Sequence, residues 1–355
     1  MLRLARIALP IVAVLVFVFM VGATLAVADE TLGYDFRAYH GAAVRVLAGG
    51  PLYDLSFEAA GGFGLFYYPP FFAPLVLPFG LLPEMVAIWV WTVALLAAFL
   101  AGVAVLPVSR TIRWLILLLA GLGWLVAYAV KLGQVGPILF LLFAIGWRWL
   151  NDPGRVGWSA GLGTAVKLQP GIILLWAVLT RRWRAVGVGA AVLAGLALIA
   201  TFVSGPEAWS DFIGLVRQVA DPITTAKNAT PGAIAYQMGL PADVAYLIQG
   251  ATAVVFLGAV LAAVRWATED GSYLVAVVAS QLLSPVLWDH YALLLLLPVA
   301  YLCSKGWWWA VAIPIATSLP LLGLGPPLIY PGAFGIGLGA TLWVGIREKA
   351  RAGLA

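Results

Sequence analysis

Few side chains in this sequence can do chemistry, and they fall in recognisable settings. Asp35 stands in Gly33-Tyr34-Asp35-Phe36, where an apolar run meets a polar stretch. A carboxylate there can take a proton from a substrate hydroxyl, general-base work that contributes about 10²–10⁴-fold. It can equally cap a helix or face its dipole. Asp289 and His290 end the run Ser284-Pro285-Val286-Leu287-Trp288 and form the only adjacent Asp-His pair in the chain. Proline and tryptophan around them predict a helix break at a membrane interface, where irregular backbone is allowed if it lines a wet cavity. The plain alternative is a solvated interfacial turn. Lys167 lies well inside the apolar run 158–179, in Ala165-Val166-Lys167-Leu168-Gln169-Pro170. Either its stem carries the ammonium to an interface, or the charge meets an anionic group such as a lipid phosphate inside the protein. Gln134, Asn228 and Gln169 are weaker polar candidates, and His40 is the second of the two histidines.

Other chemistries lack a pattern. There is no His-x₃-His, no cysteine pair (Cys303 is the single cysteine) and no Asp-x-Asp in the first polar stretch. No metal is assigned; a magnesium ion shared by Asp35 and a substrate phosphate stays open without a positive sign. No Walker loop and no Gly-x-Gly-x-x-Gly opens a helix, so nucleotide hydrolysis is not expected. Asn228-Ala229-Thr230 fits the glycosylation triplet, a pattern short enough to arise by chance. No cofactor is expected.

The elements that must position these groups belong in a membrane. Of 355 residues, 63% are hydrophobic and 10% charged, against roughly 25% charged in a soluble domain. The net charge of +5 is spread along the chain and forms no basic stripe, which argues against a nucleic-acid partner. Residues 7–28 form a first apolar run behind Arg3 and Arg6. Ala26-Val27-Ala28 resembles a signal cleavage site, but the run of roughly 20 residues exceeds the usual h-region of about 7–15, so it reads as an uncleaved anchor. Further runs lie at 66–82, 84–106, 114–130, 135–150, 158–179, 185–204, 244–264, 272–288, 291–303, 307–323 and 332–346. Residues 29–65 are polar and include Asp29, Glu30, Asp54 and Glu58. Within them, 36–48 predicts an amphipathic helix lying along the membrane, with Phe36, Tyr39, Ala43, Val46 and Leu47 on one face.

Alternate threading from a cytoplasmic N-terminus puts Lys131, Arg181, Arg182, Arg184, Arg265, Lys305, Arg347, Lys349 and Arg351 in the cytoplasm, as the positive-inside rule requires. Arg110, Arg113, Arg148 and Arg155 fall outside, against the rule. The same threading gathers 29–65, the loop 205–243 and the junction 284–290 on the outer side. The expected fold is an all-α polytopic bundle, one domain over 1–355, with about 10–12 transmembrane helices and both termini cytoplasmic. No internal repeat is evident.

Asp35-Phe36-Arg37-Ala38-Tyr39, continuing through Ala43 and Leu47 to Gly49-Gly50-Pro51-Leu52-Tyr53, resembles the first-loop signature of glycosyltransferase family 87. These are polytopic C-type transferases that use polyprenyl-phosphate sugars. Further matches follow in the family's order. They are Tyr68-Pro69-Pro70 with Pro78 and Leu82-Pro83, then Gly133-Gln134, then Lys167 with Pro170 ahead of Arg181-Arg182-Trp183-Arg184. Asn228 to Gly232, Ser284-Pro285 and Trp288-Asp289-His290 complete the series, which covers about residues 30–300. The chain departs from the pattern at Gly136, where the family commonly has asparagine, and at Ala229-Thr230, where Gln-Ser often follows the asparagine.

The resemblance implies an outward-facing site on the first loop, with Asp35 as general base on the acceptor hydroxyl. It implies a polyprenyl-phosphate sugar donor, often β-mannosyl, and inversion to an α-mannoside on a glycolipid or glycan acceptor. Such a reaction needs one base and a stabilised leaving phosphate. Lys167 or Arg37 would neutralise that phosphate, and His290 would orient the acceptor or contact the phosphate. His40, Gln134, Asn228 and Asp289 are the remaining substrate-binding candidates. Pro69, Pro70, Pro74 and Pro78 would break a continuous span and leave a groove for a polyprenyl tail, or simply kink a structural helix. Membrane lipid is the other expected partner. Pentosyl transfer, for example of arabinofuranose, is the alternative within the class. A transporter or flippase of lipid-linked sugars is the alternative outside it, and would show broken or charged segments in two matching halves.

Overall fold

The computed structural model describes residues 2–54, 65–219 and 221–353, and among these it holds helices and loops without a strand. Part of the expected first loop, 55–64 with Glu58, lies outside the described residues. The chain enters through α1 (Leu2–Ala26), apolar from Ile7 onward. A turn at Asp29–Thr31 and Gly33 in the left-handed region (φ +68°) redirect it into α2 (Tyr34–Leu47). This is the expected amphipathic helix, begun two residues early. It buries Phe36, Tyr39 and Ala43 and leaves Arg37 half-exposed.

The prolines break the next apolar run, which does not form the single helix long enough to cross a membrane that the threading expects. Short turns at Pro70–Phe72 and Leu77–Leu81, with α3 (Ala73–Val76) between them, fold back along α2. His40 Nε2 lies 3.0 Å from the Leu82 carbonyl, and Glu84 pairs with Arg37. α4 (Glu84–Val105) therefore starts on the face where α2 lies. That shift reverses the side expected for the segments from α4 to Arg148, and a hairpin over 153–179 restores it from Trp183 onward.

α5 (Arg110–Leu122) and α6 (Leu125–Leu132) form one span bent by 61°. The bend holds Trp124 at φ +57°, a conformation that costs about 1–2 kcal/mol outside glycine. Its indole donates to Thr24 Oγ1 at 2.8 Å, and Ser318 donates to the Gly123 carbonyl, which hold the break in place. α5 runs beside α1 in the same direction, with Gly121 against Phe17 and Trp124 on Thr24. Arg110 and Arg113 consequently lie at the end away from α2. Lys131, expected on that far side, instead accepts from Gly33 N–H through its carbonyl at 2.8 Å, next to α2.

α7 (Gly136–Arg148) returns to the far end. The expected single span 158–179 is a hairpin. α8 (Pro153–Val166) is capped by Asp152 with Pro153 in its first turn, and α9 (Gly171–Leu179) runs back beside it. Between them Lys167 is extended (φ −154°), Gly163 packs on Pro170, and Arg182 donates to the Leu150 carbonyl at the hairpin's base. Arg148 and Arg155 thus share a face with Arg181, Arg182 and Arg184, where the threading separates them. Proline at 170 explains the break: it removes a helical N–H and disfavours helix at the residue before it.

α10 (Trp183–Ser204) lies along α8, where a Cβ on Gly157 would fall 2.2 Å from the Ala185 carbonyl oxygen, the close backbone approach that small residues permit in membranes. α11 (Glu207–Val219) comes back to the α2 side, with Phe212 against Tyr53 and Trp209 against Phe71. α12 (Pro231–Gln237) and α13 (Ala242–Trp266) follow. α14 (Glu269–Leu282) is buried from Gly271 to its end, and a 3-10 turn, Asp289–Leu295, feeds α15 (Leu296–Ser304). α16 (Ala312–Leu321) and α17 (Ile329–Arg351) complete the bundle. Ion pairs Arg182–Glu269 and Lys305–Glu348, both 2.9 Å, tie the far end together.

Among the described residues, α1 from Ile7, α4, α10, α13 and α17 are long and apolar enough to cross a membrane, and α5 with α6 makes a sixth. The other expected spans are shorter or broken helices. Such breaks need protein or water around their free backbone groups, and in this polytopic membrane bundle they fall where the polar residues gather.

Candidate active site

Asp35 sits in the first turn of α2 and is fixed from the α6–α7 junction. Gly133 there adopts φ +74°, and a Cβ on it would lie 2.6 Å from Phe36 Cβ. Only a residue without a side chain lets the junction close on α2. Trp91 from α4 locks the turn, donating to the Gly133 carbonyl at 2.8 Å. The next residue, Gln134, then donates from Nε2 to Asp35 Oδ2 at 2.6 Å. Its Oε1 accepts from the Tyr68 hydroxyl at 3.1 Å, and Tyr68 accepts from Tyr39 at 2.6 Å. Burial pushes the Asp35 carboxyl up to about 6, while the Gln134 hydrogen bond and the nearby Lys167 charge hold it from rising further. A carboxylate poised there is mostly ionised at neutral pH and can accept a proton.

Lys167 comes from the tip of the α8–α9 hairpin. Its Nζ stands 4.1 Å from the centre of the Tyr291 ring and 5.9 Å from that of Tyr68, a cation–π seat. Gln169 donates from Nε2 to the Tyr291 hydroxyl at 3.1 Å, and the His290 and Tyr291 rings are 4.9 Å apart. Gln169 Oε1 and His290 Nε2 are buried with no hydrogen-bond partner among the described residues. Buried polar atoms are nearly always paired, so these two mark places for a ligand or water. The hairpin break brings both Lys167 and Gln169 here, and Tyr291 had no signal in the sequence beyond following His290.

Other candidates are engaged elsewhere. Arg37 pairs with Glu84, and His40 with the Leu82 carbonyl. Asn228 is fully used as a strut: Nδ2 donates to the Pro222 and Pro285 carbonyls, and Oδ1 accepts from Thr230 and Leu287 N–H. It joins the loop after α11 to the 284–290 junction. Asp289 opens the 3-10 turn that carries His290 and Tyr291, and its carbonyl accepts from the Tyr330 hydroxyl at 2.8 Å, so it borders the site. Among the described residues, no three His, Cys, Asp or Glu side chains gather as a metal site.

Comparison with known proteins gives this geometry a family. The sequence model of glycosyltransferase family 87 matches residues 66–288. A Mycolicibacterium smegmatis protein named polyprenol-phosphate-mannose-dependent alpha-(1-2)-phosphatidylinositol pentamannoside mannosyltransferase is 30% identical over 276 residues, covering 72% of this chain and 66% of its own length. A Mycobacterium tuberculosis protein named as the corresponding phosphatidylinositol mannoside mannosyltransferase is 28% identical over 303 residues, covering 77% of this chain and 70% of its own. The chain thus spans about two thirds of the length of these relatives. No solved structure matches. Gln134, Lys167, Gln169 and Asn228 fall inside the matched stretch, while Asp35 and His290 flank it. With more than half of its length matched, the chain belongs to glycosyltransferase family 87.

Proposed function

We propose that this chain transfers a mannosyl group from a polyprenyl-phosphate donor to a hydroxyl of a mannosylated phosphatidylinositol-type glycolipid, with inversion. The observation that carries the reading is the partly buried Asp35, held by Gln134 and facing the field of Lys167. The acceptor oxygen attacks the anomeric carbon, the bond from that carbon to the phosphate oxygen breaks, and polyprenyl phosphate leaves. Asp35 takes the acceptor's proton, and Lys167 stabilises the departing phosphate. Gln169 and His290 supply the unpaired polar atoms that meet sugar hydroxyls or phosphate. The donor and acceptor classes are those printed in the relatives' names.

The site would face outward from the cell membrane, with both termini cytoplasmic. Support comes from charge: Arg110, Arg113, Arg148, Arg155, Arg181, Arg182 and Arg184 gather at the end away from Asp35, as the positive-inside rule favours. No resident cofactor is needed for this chemistry, and transfer should survive chelator. The test is incubation of membranes holding the protein with labelled polyprenyl-phosphate mannose and purified phosphatidylinositol mannosides, followed by linkage analysis. An α-linked mannosyl product is expected. Transfer of a pentose from its polyprenyl phosphate, with mannose refused, would overturn the donor assignment.

A further inference from the structure

At the end of the bundle away from Asp35 there is a cavity of about 310 Å³. It opens between the turn that ends α9, the C-terminal ends of α13 and α17, and the start of α14. Leu179 and Val264 contribute an apolar wall, while Arg181, Arg182, Lys349 and Glu269 bring charge.

The charges do not cancel. Glu269 is taken by Arg182 at 2.9 Å, and Arg182 also donates to the Leu150 carbonyl, so this pair serves as structure. Lys349 is held at the rim by the Arg265 carbonyl at 3.1 Å and has no carboxylate within salt-bridge distance among the described residues. Arg181 likewise makes no ion pair among them. Two cations are left facing the opening.

Backbone geometry adds an independent observation. Arg181 adopts φ +58° at the end of α9, where its N–H bonds to the Val178 carbonyl and that of Arg182 to the Ala177 carbonyl. Helix ends of this kind favour glycine, because a Cβ is strained there. Strain held at a defined position points to a use for the side chain.

Its place in the bundle indicates what meets the cations. α10 and α13 leave most of their surface unburied, as lipid-facing helices do. At this end of them Trp183 and Trp266 are 62% and 56% exposed, matching the aromatic residues that sit at headgroup level. Basic pockets between transmembrane helices bind anionic headgroups. We propose that this cavity binds the headgroup of an anionic phospholipid, with the phosphate between Arg181 and Lys349 and the acyl-bearing side of the lipid against Leu179 and Val264. The site lies apart from the transfer chemistry and holds whether or not that reading does.

The test uses the purified full chain in detergent. Thermal unfolding is followed with phosphatidylglycerol, with phosphatidylcholine, and with soluble glycerol phosphate, alongside native mass spectrometry of retained lipid. Phosphatidylglycerol should raise the midpoint by several degrees more than phosphatidylcholine, and glycerol phosphate should not reproduce it. Arg181→Gly relieves the strained backbone, so it should fold at least as well while losing retained phosphatidylglycerol about tenfold; Lys349→Gln should lose it in the same direction. Equal responses to the two lipids, full retention in both variants, or complete substitution by glycerol phosphate would each overturn the proposal.

Discussion

Gln134 orients Asp35 through a hydrogen bond of 2.6 Å, and the direction of that bond is fixed from behind. Tyr39 donates to Tyr68, and Tyr68 donates to Gln134 Oε1, so the amide nitrogen is the end left for the carboxylate. Turning the amide over would set Oε1 against Asp35 and leave the Tyr68 hydroxyl without its acceptor. The Asp35 carboxylate is therefore positioned by a buried polar chain anchored in the aromatic packing beneath α2.

Removing Gln134 should be visible in the pH profile. Its hydrogen bond lowers the Asp35 pKa against the larger effect of burial. In Gln134→Leu that restraint is gone, so Asp35 stays protonated to higher pH and the acidic limb of the rate profile moves upward from near pH 6. Tyr68→Phe should shift it the same way by less. A measured kcat profile across pH 5–8 that stays in place would show that the amide does not act on the base.

Asp35→Asn should separate activity from stability. Turnover is expected to fall by about 10²–10⁴-fold for want of a base. Stability should rise at neutral pH. The carboxyl titrates near 6 in the folded protein against 3.8 ordinarily, so the folded state binds its proton more tightly than the unfolded chain. Burying the charge thus destabilises the wild type above pH 6; the penalty, on the order of 3 kcal/mol, shrinks as pH falls and is gone below about pH 4. Melting curves of both proteins at pH 7.5 and pH 4 check this, with Asp35→Asn the more stable only at the higher pH.

Lys167→Gln should weaken use of the donor more than use of the acceptor. The ammonium stacks on Tyr291 and makes no ion pair among the described residues, so its removal breaks no salt bridge among them and the fold should persist. The expected result is a donor KM raised about tenfold with a lower kcat, and acceptor KM little changed. Steady-state kinetics varying each substrate in turn distinguish this from a structural defect, which would move both.

Gly133→Ala should damage the site through its backbone. The residue needs φ +74°, and the added methyl would meet Phe36 at 2.6 Å. The backbone alone contributes about 1–2 kcal/mol of destabilisation, and the contact pushes α2, with Asp35, away from Gln134. A lowered melting midpoint together with lost transfer is expected, whereas Gly187→Ala, in open space on α10, should leave both unchanged.

Sidedness can be read by cysteine labelling in intact cells or sealed vesicles, because the natural Cys303 is buried. Cysteines placed at Arg155 and Arg184 should react from one side, and one at Ser210 from the other. Opposite sides for Arg155 and Arg184 would contradict the α8–α9 hairpin.

Composition and local chemistry were enough to read much of this protein from its sequence. The scarcity of charge dictates a membrane bundle, the spacing of Phe36, Tyr39 and Ala43 dictates an amphipathic helix, and the prolines after Tyr68 leave a broken run or a kinked helix as the two readings. Asp35, Gln134 and Lys167 stand out because an ionisable or amide group in such surroundings needs a reason. Sidedness was not legible. Hydropathy measures whether a run is apolar, not whether it traverses, so 66–82 counts as a crossing until Arg37 meets Glu84. The run 158–179 likewise looks continuous until Pro170 folds it back on Gly163. Tertiary structure alone decided which polar groups meet. It commits Arg37, His40 and Asn228 to neighbours distant in sequence, and it brings Gln169 and Tyr291, 122 residues apart, within hydrogen-bond distance. Those pairings depend on how helices pack, and packing is set by side chains that no local pattern ties together.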